Sequence, residues 1–196
     1  MDTFDEQFIN SQFTKGEKMS DQFLSDSYEV PSSTSGYMKF ESGDNQFRIM
    51  TSPIVGWEFW INKDGEPRMK GEKPQEGDKP VRFTMDNPPK DAGDAVKHFW
   101  AMVVYNYKTK SFQILQLTQK SIIVALTNLA RSKSWGSPKG QDGYDIQVTK
   151  TGEKLDTEYT VLPIKPEKLS QKIMDEYAKT NIKLEALFDG GDPFAK

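Results

Sequence analysis

Between Pro53 and Gly65 the chain reads PIVGWEFWINKDG, which sets Trp57, Phe59 and Trp60 just ahead of Lys63. Flat aromatic rings beside ammonium groups are what a single-strand nucleic-acid binder uses. Cations follow the phosphates and bases stack on the rings, at roughly 1–3 kcal/mol per base. The same adjacency recurs at Phe47–Arg48, Arg82–Phe83 and Tyr107–Lys108. Aromatics make up 12% of the 196 residues, and barrel cores use them too, so strand alternation must separate stacking rings from core.

Other chemistries lack their parts. There is no cysteine, which excludes disulfides, thiolate metal sites and cysteine nucleophiles. The single histidine, His98, opens the apolar run HFWAMVVYNY and reads as structural rather than catalytic. No phosphate-loop, dinucleotide-loop or HExxH pattern occurs. The acids are scattered over loops without ligand spacing, so they read as a solvated surface rather than as a metal or glycosidase site. No catalytic residue, metal or cofactor is expected, and the chain reads as a non-enzyme.

Net charge is −3 but uneven. Residues 1–36 hold two lysines against seven acids, residues 37–165 nineteen basic residues against sixteen acids, and residues 166–196 five against six. A mildly basic middle therefore lies between acidic ends, and that middle suits an anionic partner. No apolar run of about 18 residues exists to form a membrane helix. The N-terminus is acidic and lacks the apolar region of a signal peptide, which predicts a cytoplasmic protein.

The elements that must hold these residues follow from the pattern. Residues 1–36 are rich in Ser, Asp, Gln and Glu and read as a disordered arm. Phe4, Phe8, Phe13 and Phe23 are its candidate docking points for a partner or a neighbouring subunit. Phe47 and Ile49 alternate with Arg48, Pro53 interrupts, and IVGWEFWIN resumes, giving one long bent strand. Residues 62–97 are mostly loop, with PVRFT as a short strand. HFWAMVVYNYKTKSFQILQLT is a hairpin about KTK. Ile122, Ile123, Leu126, Leu129 and Ala130 recur at helical spacing. YDIQVTKTGEKLDTEYTVLPI is a second hairpin, and a helix is expected from Pro166 through the segment ending in ALF. Five strands with a helix between the third and fourth is the order of a single OB-fold barrel over residues 37–165. Residues 166–196 add a C-terminal helix and an acidic tail. Another β-rich α+β layout with the same element order is the rival.

Such barrels bind on the face of strands two and three and through the loops after strands one and four. The first loop carries Lys63, Arg68, Lys70, Lys73, Lys79, Arg82 and Lys90, and the second Lys150 and Lys154. After Pro53, Val55, Trp57, Phe59 and Ile61 form an apolar face that reads as core. Ile54, Gly56, Glu58 and Trp60 form the face toward water, which makes Trp60 the stacking candidate. Leu115 and Leu117 fit the core, turning Phe112 and Ile114 outward. One hairpin register exposes Trp100 and Asn106, another Tyr105 and Tyr107. Arg48, Lys108, Lys110 and Tyr159 complete the candidate set. Trp135, after the helix, either caps the barrel or reaches DNA.

Several segments carry a family likeness. NQFRIMTSPIVGWEFW, KPVRF, HFWAMVVYNYKTKSFQILQLTQKSI, WGSPKGQDGYDIQVTKTG and DTEYTVLP resemble the single-stranded DNA-binding proteins of tailed bacteriophages that carry an OB-fold. The resemblance covers about residues 37–165. It implies coating of exposed single strands during replication or recombination, without catalysis, inside the host cell. In the ending LFDGGDPFAK, Asp189, Asp192, Pro193 and Phe194 resemble the acidic, phenylalanine-tipped tail by which bacterial counterparts recruit replication and recombination proteins. Low acid density and the two residues after Phe194 depart from that pattern. An adaptor that uses the barrel as scaffold and an RNA-binding protein are the alternatives, and self-association is a further option.

Overall fold

A computed structural model describes residues 36–90, 95–165 and 167–195. The expected arm, residues 1–36, lies outside them except for Gly36. The described chain is mostly β. One sheet of eight strands contains β1 (Tyr37–Met38), β2 (Gly43–Ile49), β3 (Ile54–Ile61), β4 (Lys79–Thr84), β5 (Lys97–Asn106), β6 (Ser111–Leu117), β7 (Asp145–Thr151) and β8 (Glu158–Pro163). Helix α1 (Lys120–Arg131) lies between β6 and β7, and α2 (Gln171–Tyr177) follows β8. No described helix is long and apolar enough to cross a membrane.

The expected closed five-stranded barrel is replaced by an open sheet. Its order is β1-β6-β5-β2-β7-β8, with β3 paired to β5 and β4 paired to β3. The long first strand is split at Met50–Pro53. β2 pairs with β5 over Val104–Asn106 and β3 with β5 over Lys97–Ala101. Proline lacks the N–H a ladder needs, so a break there is expected. The bend is held from both sides: Met50 N–H donates to Val103 O at 2.8 Å, and Val103 N–H donates to Thr51 Oγ1 at 3.0 Å. β4, the PVRFT strand, extends β3 into a wing beyond the main sheet.

β5 is buried on both faces. Met102 and Val104 pack with Phe47, Ile49, Leu115, Leu117 and Ile146 under Ile122, Ile123 and Leu126 of α1. Trp135 packs on Tyr144, ring centroids 5.2 Å apart, so it caps this core. On the other face Phe99, Ala101, Val103, Tyr105 and Ile114 meet Leu169, Leu184 and Leu187 of the C-terminal segment.

That segment corrects two expectations. The single long helix from Pro166 is instead the seven-residue α2 followed by a 3-10 turn at Leu184–Leu187. Ser170 Oγ accepts from Ile173 N–H at the start of α2, and Thr180 Oγ1 donates to Tyr177 O at its end. A hydroxyl taking a terminal carbonyl favours stopping there. The second correction concerns β3. Gly56 and Glu58, expected to meet water, are buried. A Cβ on Gly56 would lie 2.2 Å from Phe83 O and 2.9 Å from both the Phe99 and Phe188 rings. The face expected as core is only half-buried. There Phe59 stacks on Phe83 at 5.9 Å, and Trp57 meets His98 edge-on at 5.3 Å.

Candidate nucleic-acid interface

The β3–β4 register sets Glu58 opposite Arg82 and Trp60 opposite Pro80. Glu58 Oε2 accepts from Arg82 Nε at 2.7 Å, with both side chains under a tenth exposed. Its other oxygen, Oε1, accepts from the Trp60 indole N–H at 3.2 Å. Arg82 also lies 5.5 Å from the centre of the Phe99 ring and donates to Gln116 Oε1 at 3.4 Å. One buried carboxylate therefore ties a half-exposed indole to a fixed guanidinium. A buried ion pair adds little net stability, but it fixes geometry well.

Trp60 and Arg82 line a groove of about 590 Å³ with Tyr37, Lys39, Lys79 and Gln116. Leu187, Gly190 and Gly191 of the C-terminal segment form one wall. Lys39 and Lys79 are exposed, and neither is ion-paired to a described residue. Burial pushes the Tyr37 hydroxyl above its ordinary range; Arg82 opposes the shift and Asp192 adds to it. Tyr37 thus stays neutral at the groove. A tethered flat ring, two exposed ammonium groups and a neutral phenol suit a ligand with an aromatic ring and negative charge. Among the described residues, no group of three His, Asp or Glu is placed to hold a metal.

The other candidates disperse. Arg48 is buried, its side chain 1% exposed, with Nε 2.6 Å from Asp145 Oδ1. Its remaining N–H groups donate to the carbonyls of Gly140, Gln141 and Glu167. Arg68 is bound by two hydrogen bonds to Asp78, at 2.8 and 3.0 Å. That contact first, then the Gln75 N–H, holds the Asp78 carboxyl below its usual range. Lys63 and Lys70 are exposed on the same loop. Tyr105 pairs with Phe112 across the hairpin, and both lie under the C-terminal segment, Phe112 5.2 Å from Tyr177. Neither register alternative exposes its pair as expected: Tyr105 is covered, Asn106 is buried on Gln113 Oε1, and Trp100 is half-buried.

Tyr107 donates its hydroxyl to Asp145 Oδ1 at 2.9 Å, and burial, then the Asp145 charge, push its pKa far up. Lys108 pairs with Glu41, while Lys110 is exposed at the turn with φ near +50°. Lys150 Nζ donates to Phe40 O at 3.4 Å, and Tyr159 packs on the Phe40 ring. In the tail, Phe194 meets Tyr37 edge-on at 5.7 Å and closes on Gly36. Asp192 caps its own turn by accepting from Phe194 N–H, and Asp189 is exposed. Of the sequence candidates, the structure therefore gathers Trp60, Lys79 and Arg82 in one groove.

Lys39 and Gln116 were missed because neither lies on a predicted loop. A second missed signal is compositional. From Ala95 to Gln141 the chain holds seven Lys+Arg and no Asp or Glu, although 29 of its 196 residues are acidic. No family model, no curated protein and no solved structure matches the chain.

Proposed function

We propose that the protein binds single-stranded DNA with little sequence preference and coats it during phage DNA replication or recombination, without catalysis, in the cytoplasm of the host cell. The groove built on Trp60 carries this reading. Its indole is held by Glu58 and Arg82 beside the exposed Lys39 and Lys79, which unites a stacking platform with phosphate partners. The chain order supports an OB-type core. The β2–β3 strand, β5, β6, α1, β7 and β8 follow one another as that fold requires, and β3–β4 elaborates the loop after the first strand. The sequence likeness to phage single-strand binders points the same way.

Titration with oligo-dT tests the reading. Trp60→Ala is expected to weaken binding by about 1–3 kcal/mol, the worth of one stacked base, with an unchanged far-ultraviolet spectrum. Equal affinity in the variant and the parent would remove the groove from the interface. Binding of an RNA oligomer in preference to DNA would reassign the ligand.

A further inference from the structure

The acid-free run forms β5, β6, α1 and the loop after it. On the face of the sheet opposite Trp60 this run builds two cavities along the same side of α1. One, of about 360 Å³, is lined by Trp100, Met102, Leu126 and Pro138 together with the cations Arg131 and Lys139. The other, of about 480 Å³, is lined by Lys97, His98 and Lys120 with Ile123 and Val124. Among the described residues, no acid lines either one.

Trp100 and His98 alternate on β5 and share a face, so they join the two cavities. The Trp100 indole N–H donates to His98 Nε2 at 3.2 Å. This fixes the second indole as Glu58 fixes the first, through a partner two residues earlier on the same strand. His98 Nε2 accepts, which leaves Nδ1 as the ring's donor. Both His98 Nδ1 and the nearby Trp57 Nε1 are buried without a hydrogen-bond partner among the described residues. Lys97, Lys120, Arg131 and Lys139 are exposed, and none is ion-paired to a described residue. Lys139 Nζ donates to Ser52 Oγ at 3.0 Å. Lys120 and Arg131 stand at the two ends of α1, about 16 Å apart along its axis.

We propose that this side of the sheet is a second single-strand-binding surface. A base stacks on Trp100, and successive phosphates of the same strand meet Arg131 and Lys139 at one end and Lys97 and Lys120 at the other. A polyphosphate backbone fits better than a compact anion, because the cations are spread along a helix and the ring lies between them. The inference rests on single-stranded DNA being the ligand.

The test uses the full chain and oligo-dT of increasing length at several NaCl concentrations. Arg131→Gln with Lys139→Gln removes two exposed cations and the Lys139–Ser52 hydrogen bond. Each lost phosphate contact lowers the slope of log K against log salt by about 0.7, so the double variant is expected to lose about 1.4 from that slope and to occlude fewer nucleotides. Trp60→Ala is expected to lower affinity at unchanged slope. An unchanged slope and occluded length in the double variant, with the parent binding and Trp60→Ala weakened, overturns the second surface alone. A parent that does not bind overturns both readings. A double variant that binds DNA normally but loses an acidic peptide makes the surface a protein-docking site and also overturns the proposal. Lys97→Gln with Lys120→Gln repeats the measurement at the other end, and the same loss of slope is expected there.

Discussion

Replacing Arg48 with alanine separates a structural role from a DNA contact. The guanidinium is inside the protein, so the substitution strands Asp145, itself 7% exposed. The carboxylate keeps only Gln46 Nε2 at 2.8 Å and the Tyr107 hydroxyl at 2.9 Å as side-chain donors. The carbonyls of Gly140, Gln141 and Glu167 lose theirs. Removing one member of a buried ion pair costs about 3–5 kcal/mol. For a chain of this size each kcal/mol moves Tm by about 2–4 °C, so a fall of roughly 6–20 °C is expected. Urea unfolding should show a lower midpoint at an unchanged m-value, because the surface exposed on unfolding stays the same. Arg48→Met combined with Asp145→Leu should recover most of the loss, since apolar replacement of both partners removes the stranded charge. A single variant within about 1 kcal/mol of the parent that binds oligo-dT weakly would refute this, and would make Arg48 a ligand contact.

Gly56→Ala should destabilise by about 1–3 kcal/mol in urea, because its Cβ would meet the Phe83 carbonyl rather than a yielding side chain; a neutral result would mean β3 and β4 separate easily. Ending the chain at Lys165 should expose the Phe99, Val103 and Ile114 face and give a destabilised, dye-binding protein. A stable, monomeric truncation that had merely lost partner binding would restore the expectation of a free docking tail. Alkaline pH should weaken the fold. Tyr107 is held protonated, its folded pKa above the ordinary 10.0, so this stability is complete below pH 10 and is lost as pH rises beyond it. Tyr107→Phe should flatten that decline in a Tm-against-pH series, at a neutral-pH cost of about 1 kcal/mol for the lost hydrogen bond. An equally steep decline would assign it to Tyr37, Tyr105, Tyr144 and Tyr177, whose hydroxyls burial also pushes up.

Local pattern carried much of the fold. The alternation at Leu115 and Leu117, the helical spacing of Ile122, Ile123 and Leu126, and the break at Pro53 all reappear in the structure. The parity of β3 failed for a reason outside any local window. A glycine and a glutamate mark a water-facing side unless something covers them. Here the Phe83 carbonyl and the rings of Phe99 and Phe188, the last far along the chain, crowd the space a Cβ at Gly56 would take, and Glu58 is neutralised by Arg82. The same covering segment hides Phe112, which the alternation with Leu115 and Leu117 turns outward, and Tyr105, which one of the two hairpin registers exposes. Trp60 was named from an alternation whose premise was wrong: its face is packed, and the indole stays accessible because it lies where the cover gives way to a groove. The cationic side of α1 was legible as a missing residue type, a signal that counting lysines near aromatics passes over.

Tryptophan fluorescence during oligo-dT titration, repeated from low to high NaCl, tests single-strand binding most directly. Stacking on Trp60 and Trp100 predicts strong quenching. Phosphate contacts predict an affinity that falls linearly in log–log form, by about 0.7 per contact. Fluorescence that does not change, or an affinity indifferent to salt, would contradict a protein that holds single strands by their bases and phosphates.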